Sequence, residues 1–369
     1  MVREERSFPN MKDSRSNRRQ FAKAALSSAF VPTGGFANKQ PLAPLTAGAK
    51  ITLQLPGDFT DDDLRFAQQI GVNYVNTGTT GGTYEVFLGI KQRVEAAGLK
   101  VSNIGNTSVH NMPEVTLNLP GRDEKIAEYK QSLRNLSRAG IYYTTYAHMG
   151  NGIWSSAQGQ ARGGAPARSF HAADAEGHWT TTTFHQPLSH GRKFSKEELW
   201  DNYTYFIRQV VPVAEETGVR IGIHPDDPPM ATLGGVPRCI FANFAGYERA
   251  LQIANSPNIG VCLCCGTWME GGDLMGKNVF EAARAFATMG KLWKIHFRNV
   301  SSPVPDFTEA FVDDGYTDMK RLMRTLVQVD FRGVLIADHV PQMVGDRRTG
   351  WAFSIGYIRA LYDMARSAP

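Results

Sequence analysis

The chain has 369 residues, 42% of them hydrophobic, enough to bury a sizeable core, and it lacks an apolar run of the roughly 18 residues that a membrane-spanning helix needs. Its formal charge of +5 is concentrated at one end: residues 1–49 hold 8 of the 40 Lys and Arg but only 3 of the 35 Asp and Glu, so residues 50–369 carry 32 of each and are neutral. A basic excess confined to a leader removes the compositional case for nucleic-acid binding. Four cysteines, Cys239, Cys262, Cys264 and Cys265, are too few and too clustered for a disulfide framework in a chain this long.

In chain order, Arg18-Arg19-x-Phe21-x-Lys23 has the pattern of a twin-arginine export signal. A modestly apolar stretch follows from Ala24 to Ala37, and Ala47-Gly48-Ala49 has small residues at a signal-peptidase spacing. The expectation is a leader over residues 1–49, with Met11 as an alternative start, and a periplasmic or secreted protein. A basic tail is the competing reading.

From residue 50 onward, β-branched runs alternate with helical patterns. Strands are expected at 51–55, 73–76, 100–104 and 141–146, with a helix capped by Thr60 and helices at 84–97 and 123–139 between them. Thr60 with Asp63, and Ser195 with Glu198, have capping-box spacing. Ile126, Tyr129, Leu133 and Leu136 form one apolar face of the third helix. Residues 149–194 interrupt the alternation with a Gly-, Ser-, Thr- and His-rich insertion that lacks clear periodicity. A stretch of that length and pattern is a functional loop or a disordered one. Its histidines, His171, His178, His185 and His190, read as solvated loop residues.

Four further strand-like segments each end on a polar residue: Val219–His224, Ile259–Cys264, Leu292–His296 and Val334–Asp338. Helices are expected after them near 243–256, 277–289, 317–329 and 353–366. Eight alternating units imply an α/β protein with a (β/α)8 TIM barrel over residues 50–369. An open doubly wound sheet would string the four strand ends along a line, whereas a barrel gathers them. Two imidazoles, a thiolate and a carboxylate, His224, Cys264, His296 and Asp338, then form a set suited to one divalent metal. Cys262 and Cys265 read as buried packing.

These segments carry the residues by which the chain resembles the mannonate dehydratase family of xylose-isomerase-like TIM barrels. They are His224-Pro-Asp-Asp-Pro-Pro229, Val236-Pro-Arg238, Cys264-x-Gly-Thr267, His296-Phe-Arg298, Gly315-Tyr-Thr-Asp-Met319 and Asp338-His339-x-x-Gln-Met343. Weaker likeness runs back through Gly121-Arg-Asp-Glu-Lys-Ile and Arg134–Gly140. The resemblance implies Mn²⁺ (or Fe²⁺ or Zn²⁺) on the four rim residues and a catalytic histidine at His339. It also implies loss of water from a hexonic acid to give a 2-keto-3-deoxy acid. The chain departs from the family at Ala337-Asp-His-Val340, near Val312, and at Gly350-Trp-Ala-Phe353, where the family has a tyrosine and this chain has none until Tyr357.

The chemistry needs an acid, a base and a grip on a carboxylate. His339 is assigned the proton transfer and Arg298, two residues beyond His296, the grip. Substrate contacts are assigned to His148, Arg238, Asp226 and Trp351. Asp226 and Asp227 could support the metal ligands from behind, but a turn before Pro228-Pro229 is the favoured reading, and Asp318 suits a helix cap or a barrel contact equally. The expected partner is a small sugar acid or uronate-derived substrate, without nucleic acid, and homo-oligomerisation stays open. The same groups would serve a sugar isomerase or epimerase, or a lyase expelling a glycosyl group. A binding protein without catalysis is the reading from another class.

Overall fold

Eight parallel strands follow one another around a barrel in a computed structural model that describes residues 42–367. They are β1 (Lys50–Gln54), β2 (Tyr74–Thr79), β3 (Lys100–Asn106), β4 (Tyr143–Ala147), β5 (Arg220–His224), β6 (Ile259–Cys264), β7 (Leu292–His296) and β8 (Val334–Ile336). The ladder runs β3-β2-β1-β8-β7-β6-β5-β4. Between β3 and β4 the join is by side chain, with the Thr144 hydroxyl donating to the Ile104 carbonyl at 3.3 Å. The expected (β/α)8 TIM barrel is therefore the observed one. The twin-arginine pattern and its apolar stretch lie outside the described residues. The small-residue stretch does not: the Ala49 N–H donates to the Tyr362 hydroxyl at 3.0 Å, and the Lys50 ammonium donates to the Gly48 and Arg332 carbonyls at 2.8 and 2.9 Å.

The principal helices are α1 (Asp61–Gln69), α2 (Tyr84–Ala96), α3 (Arg122–Arg138), α4 (Lys196–Thr217), α5 (Phe244–Ala254), α6 (Val279–Thr288), α7 (Met319–Gln328) and α8 (Arg347–Ser367). Both expected capping boxes are formed, at Thr60 with Asp63 and at Ser195 with Glu198. Asp318 caps α7 by accepting from the Arg321 N–H at 3.0 Å. Helix α8 begins at Arg347, ahead of the expected start near 353. Gly350 is a poor helix former but is needed there, because a Cβ would sit 2.9 Å from Val340 Cγ1.

Most of the core lies between the barrel and its helices. Along β5, Ile221 and Ile223 are buried against them, and the Tyr247 hydroxyl of α5 bonds the Ile223 carbonyl at 3.1 Å. Gly222 and His224 alternate to the barrel interior. A side chain at Gly222 would collide with the ring of Tyr143, which fills that space.

The insertion is ordered. It folds into short antiparallel pairs, with Ile153–Ser155 and Thr182–Phe184 flanking Glu176–Trp179, and Gly159–Ala161 pairing Ala165–Ala167. Ser169–His171 then pairs with Asp306–Ala310 after β7, so the insertion is tied to the rim it covers.

Candidate metal centre

The four rim residues meet. His224, Cys264 and His296 are the last residues of β5, β6 and β7. Register places Cys264 opposite His296, and His296 opposite Ile336 of β8. Asp338 lies two residues past β8 in the left-handed region, with φ 63°, a conformation that costs roughly 1–3 kcal/mol unless its surroundings impose it. One donor atom from each of the four lies within 4.8 Å of all the others, compatible with ligands about 2.0–2.3 Å from a shared ion.

Local bonds aim the donors. The His224 Nδ1–H donates to the Pro225 carbonyl at 2.7 Å, which leaves Nε2 as its free lone pair. Cys264 Sγ accepts from the Thr267 N–H at 3.4 Å and from the Thr267 hydroxyl at 3.2 Å. His296 Nδ1 is buried without an aligned hydrogen bond, although Asp338 Oδ2 is 3.2 Å away. An orphaned buried imidazole nitrogen beside a thiol and a carboxylate is what a cation would satisfy. The residues fit the ion that the sequence implies. Cys262, expected to be packing alone, places Sγ 3.3 Å from His296 Nε2 and so touches the same ring.

His339 follows Asp338 into the cavity. Its Nδ1 is 2.6 Å from Glu309 Oε1. The Glu309 carboxylate, helped by Asp338, outweighs burial and pushes His339 up to about 10, so the ring is a cation at neutral pH. Glu309 in turn is held between Arg168 Nη1 at 3.0 Å and Arg298 Nη1 at 3.4 Å. Asp227 and Glu270 complete this buried cluster, with burial pushing Glu270 up to about 7. Arg168 comes from the insertion, so that segment supports the chemistry from behind. Nothing in the local pattern of Phe307-Thr-Glu-Ala310 singles out Glu309; its pairing with His339 spans 30 residues of chain.

A cavity of about 260 Å³ opens onto the donors. Beyond His224, His296, Asp338 and His339 its walls include Gln54, Asn76, Asn103, His110, Lys294 and Trp179. Lys294 is two residues before His296 on β7, a spacing that marks the same strand face. Its ammonium donates to Asn76 Oδ1 at 3.1 Å, which also accepts from the Asn103 amide at 2.7 Å. A larger groove of about 890 Å³ around Trp268, Leu274, Tyr316 and Arg321 shares no lining residue with this cavity.

Five assignments made from sequence are corrected by these positions. Arg298 is 2% exposed and absent from the cavity wall. Its Nε donates to Asp338 Oδ2 at 3.2 Å, Nη1 to Glu270 Oε1 at 2.8 Å and Nη2 to the Thr267 hydroxyl at 3.0 Å. It therefore grips protein carboxylates behind the centre. The chain has left β7 by that point, so strand alternation no longer sets its direction. His148 is buried among Tyr146, Tyr203, Phe206 and Phe241, and burial pushes it down to about 3. Arg238 is buried and donates to Asn151 Oδ1 at 3.0 Å and the Gly152 carbonyl at 2.7 Å. Asp226, whose backbone N–H bonds the Phe241 carbonyl at 3.0 Å, is buried off the cavity and pushed up to about 6 by that burial. Trp351 lines a different cleft, with Phe66 and Arg347. The neighbouring Asp227, which sequence treated as a turn residue, does line the cavity.

The family model described as D-mannonate dehydratase (UxuA) matches residues 76–178 and 172–367. Mannonate dehydratase 2 of Halalkalibacterium halodurans is 29% identical over 347 residues, covering 86% of this chain and 96% of its own length. The mannonate dehydratase of Streptococcus pneumoniae is 31% identical over 306 residues, covering 77% of this chain and 80% of its own length. The crystal structure of mannonate dehydratase from Streptococcus suis serotype 2 superposes with a TM-score of 0.74 at 26% identity, over 87% of this chain and 94% of that one. An L-ribulose 3-epimerase superposes with a TM-score of 0.56 at 12% identity, a likeness of fold.

Proposed function

The chain belongs to the D-mannonate dehydratase family, and from that premise we propose that it removes water from a hexonic acid of the D-mannonate type to give a 2-keto-3-deoxy acid. The observation that carries this reading is the placement of His339, 2.6 Å from Glu309 Oε1, beside four convergent donors on one small cavity. A Mn²⁺-type ion on His224, Cys264, His296 and Asp338 supplies, when bound, Lewis-acid stabilisation of the negative charge that develops next to the substrate carboxylate.

The protein's own part is orientation and proton transfer. Water leaves only if the departing hydroxyl is protonated, because hydroxide is a poor leaving group. His339, held as an imidazolium by Glu309, is the donor. Lys294, on the cavity wall and bonded to Asn76 Oδ1 at 3.1 Å, offers a hydrogen-bond donor to a polar substrate group. Arg298 and Glu270 hold Asp338 and its neighbours in one arrangement, so little reorganisation accompanies the reaction.

The test is turnover of D-mannonate in deuterated water by the metal-loaded enzyme. The expected product is the deoxy keto acid with deuterium at the deoxy carbon. His339→Asn should retain the ion and the fold and lower turnover by about 10²-fold or more. If D-mannonate is untouched while a ketose or uronate is interconverted without loss of water, the dehydratase reading fails and an isomerase reading replaces it.

A further inference from the structure

We propose that His110 is the second proton carrier of this site, accepting the proton from the carbon beside the substrate carboxylate while His339 serves the departing hydroxyl. The proposal rests on the dehydratase reading for the identity of the reaction and on the cavity wall for the identity of the residue. Elimination of water needs both a group that takes a proton and one that gives one. Among the titratable residues lining the cavity, His224, His296 and Asp338 are committed to the metal centre, and His339 is ion-paired with Glu309. Asp227 is bound by Arg168, Arg298 and the Thr267 hydroxyl. Lys294, pushed below its usual range by burial, is bonded at Nζ to Asn76 Oδ1 at 3.1 Å and to the Thr145 hydroxyl at 3.5 Å. His110 remains.

Its geometry suits the task. His110 ends the short helix Thr107–His110 that follows β3, on the same rim as the metal centre. Its Nδ1 lies 3.0 Å from the Thr145 backbone carbonyl. A carbonyl oxygen can only accept, so Nδ1 carries the proton and Nε2 keeps its lone pair. The ring stacks on Trp179 of the insertion, with centroids 5.5 Å apart and planes 22° from parallel. That contact fixes the ring plane and hence the direction of Nε2. Burial, reinforced by His224, pushes the imidazole down to about 4, so the ring is neutral and Nε2 is free to accept. His110, with Nε2 unprotonated, and His339, bonded to Glu309, line the same cavity, which places a proton acceptor and a proton donor at one site.

The step balances. The C2–H bond breaks and its proton goes to His110 Nε2. The electron pair forms the C2=C3 bond, and the C3–O bond breaks. The departing hydroxyl takes the His339 proton and leaves as water. The enol then becomes the ketone by protonation at C3 and loss of its hydroxyl proton, which returns both histidines to their starting states over the cycle.

The experiment follows D-mannonate deuterated at carbon 2 with the metal-loaded full chain, reading label release by NMR, keto-acid formation and bound metal together. His110→Asn retains an amide N–H for the Thr145 carbonyl and lacks a basic nitrogen. It should keep the metal content of wild type and lose label release by about 10²-fold or more. His110→Ala should be equally slow and should regain label release when free imidazole is added, which a structural role would not produce. Wild-type rates of label release in either metal-loaded variant would overturn the proposal. If wild type releases label without forming keto acid, and the variants do not, the dehydratase reading falls and His110 stands. If wild type neither releases label nor forms product, both fall.

Discussion

At Arg298 the difference between a substrate contact and a scaffold contact is decided by five N–H donors. All three guanidinium nitrogens point at protein groups, Asp338, Glu270, Asp227 and Thr267, and the side chain is buried. Arg298→Lys keeps the charge but cannot span these partners. The expected outcome is metal affinity weakened by about 10–100-fold, the usual effect of losing a group that orients a ligand, with KM little changed once the ion is saturating. Competition with a chelator measures it, and a tenfold rise in KM at unchanged metal affinity would return Arg298 to the substrate. The four donors were legible because three close a strand and Asp338 follows one by two residues, and position at or just past a strand end is a local property. Glu309, His110 and Arg298 were not legible in their roles, because what they touch lies on other strands or beyond the strand's end.

Between elements, Asp63 shows a sequence signal that is correct and incomplete. Its capping box with Thr60 can be read from spacing alone, and the Thr60 N–H donates to Asp63 Oδ2 at 2.9 Å. The same carboxylate also accepts from Arg347 at 3.1 Å and Arg348 at 2.9 Å, which joins the first helix of the barrel to the last. Burial alone would raise this carboxyl, but the Thr60 backbone N–H and the two arginines outweigh it and hold the group well below the usual carboxylate range. A depressed folded-state value contributes stability above the unfolded value of about 4 and loses it as pH falls toward the folded one. Asp63→Asn should therefore destabilise by about 1–2 kcal/mol at pH 7, and the gap to wild type should shrink below about pH 4. Urea melts at the two pH values check it; a gap that persists undiminished at low pH would show that the charge is not the cause. The insertion shows the opposite case. Its strands are only three or four residues long and some pair with segments distant in sequence, including Asp306–Ala310, so no local periodicity announces them.

Over the whole molecule, the barrel brings four donors from separate β/α units to one point, and an ion held there would couple its binding to folding. Chelation of the purified protein should lower its melting temperature, and a hundredfold excess of ion over Kd should restore about 2.7 kcal/mol. His224→Ala should abolish the response in calorimetry. A melting temperature indifferent to chelator in wild type would mean that these donors do not hold an ion in the folded state. The sequence by itself determined the alternation of strands and helices, the helix caps, the barrel and the four rim donors. Each of these follows from periodicity, capping chemistry or position within one strand, interactions that span a few residues. Only the tertiary structure decided which polar residues face the cavity. It turned Arg298, Arg238, His148, Asp226 and Trp351 away from it and brought His110, Lys294 and Trp179 to its walls, with Glu309 behind His339. Past the end of a strand or within an irregular insertion, side-chain direction is set by packing against segments far along the chain.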